Sequence, residues 1–222
     1  MLFDLDGTLV DSNFLHVEAW DHAFTSAGLT VPSWRIQQVI GADSSVLMDT
    51  LAGDAPEAVQ NAAKKLHDER LGELAPRLQV LDQSDALVAA IAAHGTRVVL
   101  ATSAPQNELD RILDILHIEE DTYAVTSSED VEKAKPEPDI ISVALQKGGV
   151  EAAGAIMVGD SVWDMRSATK AGVRGVGLLS GGTGEALLRQ AGAIEVFDDA
   201  ASLLAALETS ILATLWKDDA PE

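Results

Sequence analysis

Short apolar runs recur along most of the chain, separated by stretches in which apolar residues have helical spacing. Four runs are apolar at successive positions and so predict strands buried on both faces: residues 97–102, 122–126, 155–159 and 173–179. Residues 193–197 are expected to add an edge strand. Helices are predicted over residues 85–94, 106–116, 138–147 and 162–171. This alternation predicts an α/β fold with a Rossmann-like, doubly wound parallel sheet.

Between residues 13 and 78 the alternation stops, and the sequence favours one helix after another. Asp11 and Ser12 can cap the first of these helices, and Gly28 can end it. Its apolar side is predicted to hold Phe14, Val17, Ala19, Trp20, Ala23 and Phe24. Further helices are predicted over residues 34–40, 44–51 and 56–74.

This helical segment interrupts the α/β pattern and therefore predicts an insertion. We expect an all-helical cap domain, residues 14–78, within a core of residues 1–13 and 79–222. A chain that leaves the sheet after its first strand would place the insertion above the strand ends, where it could act as a lid. The alternative is an ordinary helical region packed beside the sheet.

Composition restricts the possible partners and the compartment. The 222 residues carry a net charge of −21 with only 15 Lys and Arg, which argues against nucleic acid and anionic membranes as partners. Cysteine is absent, which excludes disulfides and thiolate metal sites and leaves the redox compartment open. No apolar run approaches the roughly 20 residues of a membrane span, and the N-terminus lacks signal-peptide features, so a cytoplasmic location is the default.

Two carboxylates, Asp4 and Asp6, directly follow the first apolar residues, and Gly7 comes next. Alternate residues of an extended chain point the same way, so both carboxylates could face one site. At about 4 Å and an effective dielectric near 20, their repulsion is roughly 4 kcal/mol, which a divalent cation would remove. This pattern indicates phosphoryl transfer; a strand that ends in a polar turn is the alternative. The strand starts almost at Met1, which leaves open whether residues precede it.

Polar residues follow three further apolar runs, and together with the first pair they define a candidate site. They are Thr102 and Ser103, then Lys135 before a proline, then Asp160 and Asp164. Ligands of open parallel sheets bind outside the carboxyl ends of the strands, so these residues can converge although the sequence scatters them. Each feature alone is also typical of a turn or a helix cap.

In these motifs the chain resembles the haloacid dehalogenase superfamily, in its phosphatase branch with a helical cap. Residues 4–12 are similar to its first motif, Thr102-Ser103 to the second, residues 135–139 to the third and residues 159–164 to the fourth. The choice of Lys135 over Lys133 depends on the proline that follows Lys135. The resemblance covers nearly the whole chain and implies a phosphomonoester hydrolase that acts on a small phosphorylated metabolite.

The resemblance also implies residue roles. Asp4 would attack phosphorus and become an aspartyl phosphate, while Asp6 would act first as general acid and then as general base. Mg2+ would be held by the Asp4 carboxylate, the Asp6 carbonyl and Asp160, with Asp164 nearby as ligand support. Lys135 would neutralise charge on Asp4 and the phosphoryl oxygens, and Thr102 and Ser103 would bind phosphate at a helix start.

Three alternatives to a hydrolase are considered: a mutase, a dehalogenase and a protein without catalytic activity. A phosphosugar mutase similar to beta-phosphoglucomutase would use the same aspartates, but the mutases of this branch have an arginine after the glycine of a cap loop, which residues 41–45 lack. A dehalogenase needs neither Asp6 nor Mg2+. A catalytically silent partner protein should have lost at least one of the motif residues. The substrate and the oligomeric state stay open, because the helical segment contains no readable recognition motif.

Several other polar residues are expected to have structural or surface roles rather than to bind a ligand. His16 is expected to be a solvated helical histidine, and Arg35, Arg70 and Arg77 are expected to be surface arginines rather than anion ligands. The segment 181–184 is rich in glycine, but it lacks the Lys-Ser/Thr ending of a P-loop and is interpreted as a turn after a strand.

Overall fold

The structure, a computed structural model, describes residues 1–127, 130, 135 and 137–216. Lys133 and Pro136, which bear on the choice of Lys135, lie outside these residues. The chain divides into two compact units, of which the first comprises Met1–Asp11 and the chain from Val80 onward, and the second is Ser12–Gln79. The role of the second unit as a cap stays a prediction.

The first unit is built on a six-stranded sheet with the order β5-β4-β1-β6-β7-β8, in which all neighbouring strands are parallel. Strands β2 and β3 form a separate two-stranded sheet. The predicted α/β doubly wound class is confirmed, and the predicted last strand lies at an edge. The strands are β1 (Leu2–Phe3), β2 (Val10–Asp11), β3 (Gln79–Val80), β4 (Val98–Ala101), β5 (Thr122–Thr126), β6 (Ile156–Gly159), β7 (Arg174–Leu178) and β8 (Ala193–Phe197).

Ten α-helices are described, and their bounds lie close to those expected wherever the sequence made a prediction. Four belong to the second unit: α1 (Asn13–Ser26), α2 (Ser33–Gln37), α3 (Ser44–Ala52) and α4 (Glu57–Leu74). Six belong to the first: α5 (Ser84–Ala93), α6 (Gln106–Leu116), α7 (Asp139–Gly148), α8 (Val162–Lys170), α9 (Glu185–Ala191) and α10 (Ala200–Ala205). Short 3-10 helices cover Ala75–Arg77, Ala152–Gly154 and Ile211–Leu215. Within the described ranges, none of the helices has the length and hydrophobicity that a bilayer-spanning segment requires.

Alternate residues of the central strands are buried on opposite faces of the sheet, which explains the continuous apolar runs. On β4, Val98 and Leu100 belong to a core cluster that also contains residues of α5, α6 and α10. Val99 and Ala101 belong to a second cluster with residues of α7 and α8. Helices therefore cover both faces, and the carboxyl edge of the strands is where polar side chains can collect.

The second unit is held together chiefly by α1 and α4. Leu15 and Ala19 of α1 pack against Leu71 and Leu74 of α4 in one apolar cluster. The predicted burial of Phe14 is wrong, because its side chain is 58% exposed. Phe14 directly precedes Leu15, and a helix turns about 100° per residue, so Phe14 lies instead on the side of Glu18 and Asp21.

Ion pairs add a polar link between the same two helices and the 3-10 turn. The two carboxylate oxygens of Glu18 accept from Arg70 at 2.7 Å and from Arg77 at 2.6 Å. These pairs lower the pKa of Glu18 through the hydrogen bonds from Arg77 and Arg70. Arg70 also pairs with Glu73 at 2.8 Å. Both arginines are thus engaged with side-chain carboxylates, which favours their structural interpretation.

Candidate active site

Strands β4, β1 and β6 lie side by side in the middle of the sheet, and a polar residue follows each of them. Asp4 follows β1, Thr102 follows β4 and Asp160 follows β6. The backbone N–H of Asp4 donates to the carbonyl of Val158 at 3.0 Å, which continues the sheet pairing up to this residue. Since the strands are parallel, the three residues share one edge of the sheet.

Lys135 comes from the segment between β5 and α7 and lies between two carboxylates. Its Nζ is 2.5 Å from Oδ1 of Asp4 and 2.7 Å from Oδ1 of Asp164. All three side chains are buried, and Lys135 is only 1% exposed. Loss of one partner from such a group leaves an uncompensated charge in a low-dielectric environment, so the three residues depend on one another.

The pKa values in this group follow from burial and from the unequal number of charges. Burial lowers the pKa of Lys135, but the carboxylates of Asp164 and Asp4 outweigh it and raise the value above its ordinary 10.5, so Lys135 remains a cation. Burial raises the pKa of Asp4 well above its ordinary value, Asp164 raises it further, and Lys135 only partly opposes them. The group therefore has more carboxylate than one lysine can neutralise.

The turn after β1 orients Asp160 as well as the first aspartate pair. Gly7 adopts a positive φ of 71°, which glycine tolerates without steric cost, and its N–H donates to the carbonyl of Val10 at 2.8 Å. The buried hydroxyl of Thr8 donates to Oδ1 of Asp160 at 3.1 Å. Asp6 lies between Asp4 and this turn and is half-buried. The turn thus links the N-terminal aspartates to the residue after β6.

Asp164 is oriented by the start of α8. Its Oδ2 accepts from the N–H of Ser161 at 3.1 Å and from the Ser161 hydroxyl at 2.6 Å, while its own N–H donates to that hydroxyl at 3.2 Å. This is a capping box, which fixes the side chain on the first turn of the helix. With Oδ2 bonded to Ser161 and Oδ1 facing Lys135, Asp164 is suited to support a ligand set.

The acidic side chains fit a hard divalent cation. Asp4, Asp160 and Asp164 are all buried, and each offers a carboxylate oxygen within 4.8 Å of the other two. Three carboxylates and one lysine ammonium leave an excess of two negative charges, which burial makes costly. Oxygen donors are what Mg2+ and Ca2+ prefer. The donor set therefore matches an alkaline-earth ion.

The residues after β4 are arranged around the start of α6. The buried hydroxyl of Thr102 accepts from the N–H of Ala104 at 3.0 Å, which shapes the turn into the helix. The hydroxyl oxygen of Ser103 is buried and has no hydrogen-bond partner among the described residues. Buried hydroxyls are nearly always satisfied by protein, water or ligand, so the Ser103 hydroxyl can hydrogen-bond to a polar ligand atom.

Three residues that order the site are not among the site residues predicted from the sequence. Thr8 and Ser161 hold Asp160 and Asp164, and the fully buried Ser167 donates to the carbonyl of Glu137 at 2.7 Å. The last contact links α8 to the segment that follows Lys135. The spacing of Ser161 and Asp164 is a capping-box pattern and was a readable signal. Thr8 and Ser167 had no comparable local signal.

His16, expected to be solvated, is instead half-buried within the second unit. Its ring lies near that of His67, with 3.4 Å between Nδ1 of His16 and Nε2 of His67. The ring of His67 in turn stacks on Trp20, with ring centroids 4.1 Å apart. These contacts place His16 in an aromatic cluster between α1 and α4.

The backbone of Gly159 makes room for Asp164, and Gly159→Ala tests that arrangement. A Cβ at this position would lie 2.6 Å from Cβ and Cγ of Asp164 and 2.7 Å from its Oδ2. We expect the substitution to displace Asp164 from Lys135 and to lower the free energy of unfolding by about 3 kcal/mol or more. Urea denaturation followed by circular dichroism measures this change.

Gly184→Ala is the matched control for that substitution. Gly184 has a negative φ of −70°, and a Cβ there would meet no atom within 4 Å. We expect a loss of at most about 1 kcal/mol, since the residue only precedes a helix. Equal losses for the two variants would show that Asp164 is not held in the position described.

Comparison with known proteins identifies a family of hydrolases and several phosphatases as relatives of this chain. Residues 1–178 match the family of haloacid dehalogenase-like hydrolases. A phosphoglycolate phosphatase of Rhodospirillum rubrum is 30% identical over 213 residues, which cover 91% of this chain and 88% of the relative. A phosphorylated carbohydrates phosphatase of Thermotoga maritima is 26% identical and covers 87% of this chain and 91% of the relative.

Solved structures agree with this result. A hydrolase from Pseudomonas syringae superposes with a TM-score of 0.89 at 29% identity, covering 93% of this chain and 96% of that one. A putative beta-phosphoglucomutase from Bacteroides vulgatus, at 21% identity, has a TM-score of 0.87 over 97% of this chain and 89% of its own, and it supports the fold alone. The chain belongs to the haloacid dehalogenase-like hydrolase family and is an enzyme of its phosphatase branch.

Proposed function

We propose that the protein is a Mg2+-dependent phosphomonoester hydrolase that forms an aspartyl phosphate on Asp4 while it hydrolyses a small phosphorylated metabolite. The observation that carries this proposal is the position of the Asp4 carboxylate, which lies at the carboxyl edge of the sheet, beside the Lys135 ammonium and within an acidic cluster. A phosphoryl group bound there would meet a nucleophile, a fixed cation and a site for a second cation.

The first chemical step is a displacement at phosphorus. A carboxylate oxygen of Asp4 attacks the phosphorus atom, and the bond between phosphorus and the ester oxygen breaks. Asp6 donates its proton to the departing alkoxide, which leaves as an alcohol. In the second step Asp6, now a carboxylate, accepts a proton from a water molecule that attacks the same phosphorus. The bond to Asp4 breaks, and inorganic phosphate is released.

The proposed metal ligands are the carboxylates of Asp4 and Asp160 and the backbone carbonyl of Asp6. Asp164 has a supporting role beside these ligands. Its Oδ1 contacts Lys135 and its Oδ2 accepts from Ser161, which hold its carboxylate in place. A bound Mg2+ would screen the repulsion between these carboxylates and an incoming phosphate. The same protein groups orient Asp4: its N–H is bonded to β6, and its Oδ1 is bonded to Lys135.

Phosphate binding is assigned to Lys135, Thr102 and Ser103. The net charge of −21 repels phosphorylated molecules at long range, so local positive groups must provide the binding energy. Lys135 supplies a full charge, and the 11-residue helix α6 presents the positive end of its dipole near Ser103. The Ser103 hydroxyl has no hydrogen-bond partner in the described part of the chain, which supports its role as a donor to a phosphate oxygen.

Phosphoglycolate and sugar phosphates are the substrate classes that the relatives suggest. We favour hydrolysis over the phosphosugar mutase reaction because residues 41–45 contain no arginine. Incubation with a sugar 1-phosphate distinguishes the two reactions, since a hydrolase releases free phosphate and a mutase yields an isomer. The proposal includes a cytoplasmic location. It includes no nucleic-acid or membrane partner, because the chain is strongly acidic.

Asp4→Asn tests the nucleophile. The amide keeps the size of the side chain but cannot form an acyl phosphate, so we expect turnover to fall about a thousandfold or more. Rapid quenching of the wild-type protein with hydroxylamine during turnover should convert residue 4 to a hydroxamate, which peptide mass spectrometry locates. Asp114→Asn, which changes an exposed carboxylate of α6, is the matched control and should retain full activity. Modification at another residue, or turnover that persists in Asp4→Asn, would contradict the assignment.

Removal and addition of the metal test the acidic cluster by two readouts: hydrolysis, and the free energy of unfolding, which does not depend on catalysis. Chelation should abolish hydrolysis, and Mg2+ should restore it. At a Mg2+ concentration about 100 times the Kd, binding should raise the free energy of unfolding by about 2.7 kcal/mol. Asp160→Asn should abolish most of this stabilisation, whereas Asp198→Asn, at an exposed position, should leave it intact. A wild-type protein that Mg2+ neither activates nor stabilises would overturn the metal assignment.

A further inference from the structure

The glycine-rich segment after β7 contacts the turn that follows β1. β7 ends at Leu178, and the side-chain hydroxyl of Ser180 donates to the backbone carbonyl of Gly7 at 2.7 Å. The two residues are 173 positions apart in sequence. The sequence predicts a turn over residues 181–184 and indicates no role for the serine before them.

The carbonyl of Gly7 lies between two functional side chains. Asp6, the proposed general acid and base, precedes Gly7, and Thr8, which donates to Asp160 at 3.1 Å, follows it. The Gly7 N–H is already bonded to the carbonyl of Val10 at 2.8 Å. Ser180 therefore supplies the contact that fixes the opposite end of this glycine, whose left-handed φ of 71° few other residues tolerate.

Ser180 is itself held on a rigid part of the fold. Leu178 is fully buried, and the N–H of Leu179 donates to the carbonyl of Phe197 in β8 at 3.0 Å. The N–H of Gly182 donates back to the carbonyl of Leu179 at 2.9 Å. Backbone hydrogen bonds on both sides of Ser180 thus limit the movement of its hydroxyl. A serine held in this way can restrain the orientation of the Gly7 peptide.

We infer that Ser180 is a positioning residue, which holds the Gly7 peptide so that the Asp6 carboxyl is aligned with the leaving oxygen of the substrate. This inference rests on the proposed function. It assigns to the glycine-rich segment a role in proton transfer rather than in phosphate binding. A poor leaving group gains more from an aligned general acid than a good one does. The effect of Ser180 on the rate therefore depends on the substrate.

The test compares kcat/KM of Ser180→Ala on an alkyl phosphate, such as glycerol phosphate, with that on 4-nitrophenyl phosphate at saturating Mg2+. This parameter reports the steps up to phosphoryl transfer, in which Asp6 acts as an acid. Loss of one neutral hydrogen bond should lower the alkyl phosphate value about three- to tenfold. The 4-nitrophenyl value should fall less than about twofold, because nitrophenolate leaves without a proton.

Two variants separate positioning from a general loss of structure. Ser180→Thr keeps a hydroxyl and should restore most of the alkyl phosphate activity. Ser210→Ala removes another serine hydroxyl that donates to a backbone carbonyl, that of Leu207 at 3.1 Å, and should leave the ratio of the two substrates unchanged. Asp6→Asn removes the acid itself. It therefore gives the largest difference that can be expected between the kcat/KM losses on the two substrates. If Ser180→Ala does not fold, Ser180→Cys, which replaces the hydroxyl by a weak donor, is measured in its place.

The outcomes distinguish this inference from the proposed function. A larger loss on the alkyl phosphate, with recovery in Ser180→Thr, supports the positioning role. Equal losses on both substrates, or no loss on either, overturn it while phosphatase activity of the wild type still stands. A wild-type protein without Mg2+-dependent hydrolysis of either substrate overturns the proposed function itself.

Discussion

The buried ammonium of Lys135 is the group on which the organisation of the site depends. It contacts Asp4 on one side and Asp164 on the other, and all three are removed from water. An isolated charge in that environment is very costly, so the carboxylates and the lysine can be buried only together. One lysine cannot balance three carboxylates, and a bound cation would neutralise the remaining negative charge.

The sheet supplies the positions that this charge arrangement requires. Asp4 and Asp160 follow strands β1 and β6, which are neighbours in the sheet, and so meet at one edge although they are far apart in sequence. Gly159, at the end of β6, leaves space for Asp164 on the first turn of α8. Ser161 then fixes the direction of Asp164 by a capping box. The rigid strand ends thus determine where the charges lie, and short local hydrogen bonds determine how they point.

Local patterns in the sequence predicted much of the fold and the composition of the site. Apolar runs identified the buried strands because both faces of the sheet are covered, as Val99 and Leu100 illustrate on β4. Polar residues after those runs indicated the candidate site, since parallel strands end at one edge. The side of a helix on which a residue lies was harder to predict. Phe14 was expected on the apolar side of α1, but the adjacent Leu15 is buried instead.

Contacts between distant parts of the chain had no local signal. The bond from Thr8 to Asp160 joins residues 152 positions apart, and the bond from Ser180 to Gly7 joins residues 173 apart. Serine and threonine are common in turns and caps, so their types alone did not distinguish a structural role from a positioning role. The same limit applied to His16, whose aromatic neighbour His67 lies on a different helix.

The central claim is that a phosphoryl group is held on Asp4 between Lys135 and a divalent cation. A crystal structure with Mg2+ and trifluoroberyllate, a mimic of a transferred phosphoryl group, tests it most directly. The account predicts beryllium bonded to a carboxylate oxygen of Asp4, Lys135 Nζ contacting a fluoride, and Mg2+ bound to Asp160. Beryllium fluoride on another residue, or Mg2+ away from this acidic cluster, would contradict it.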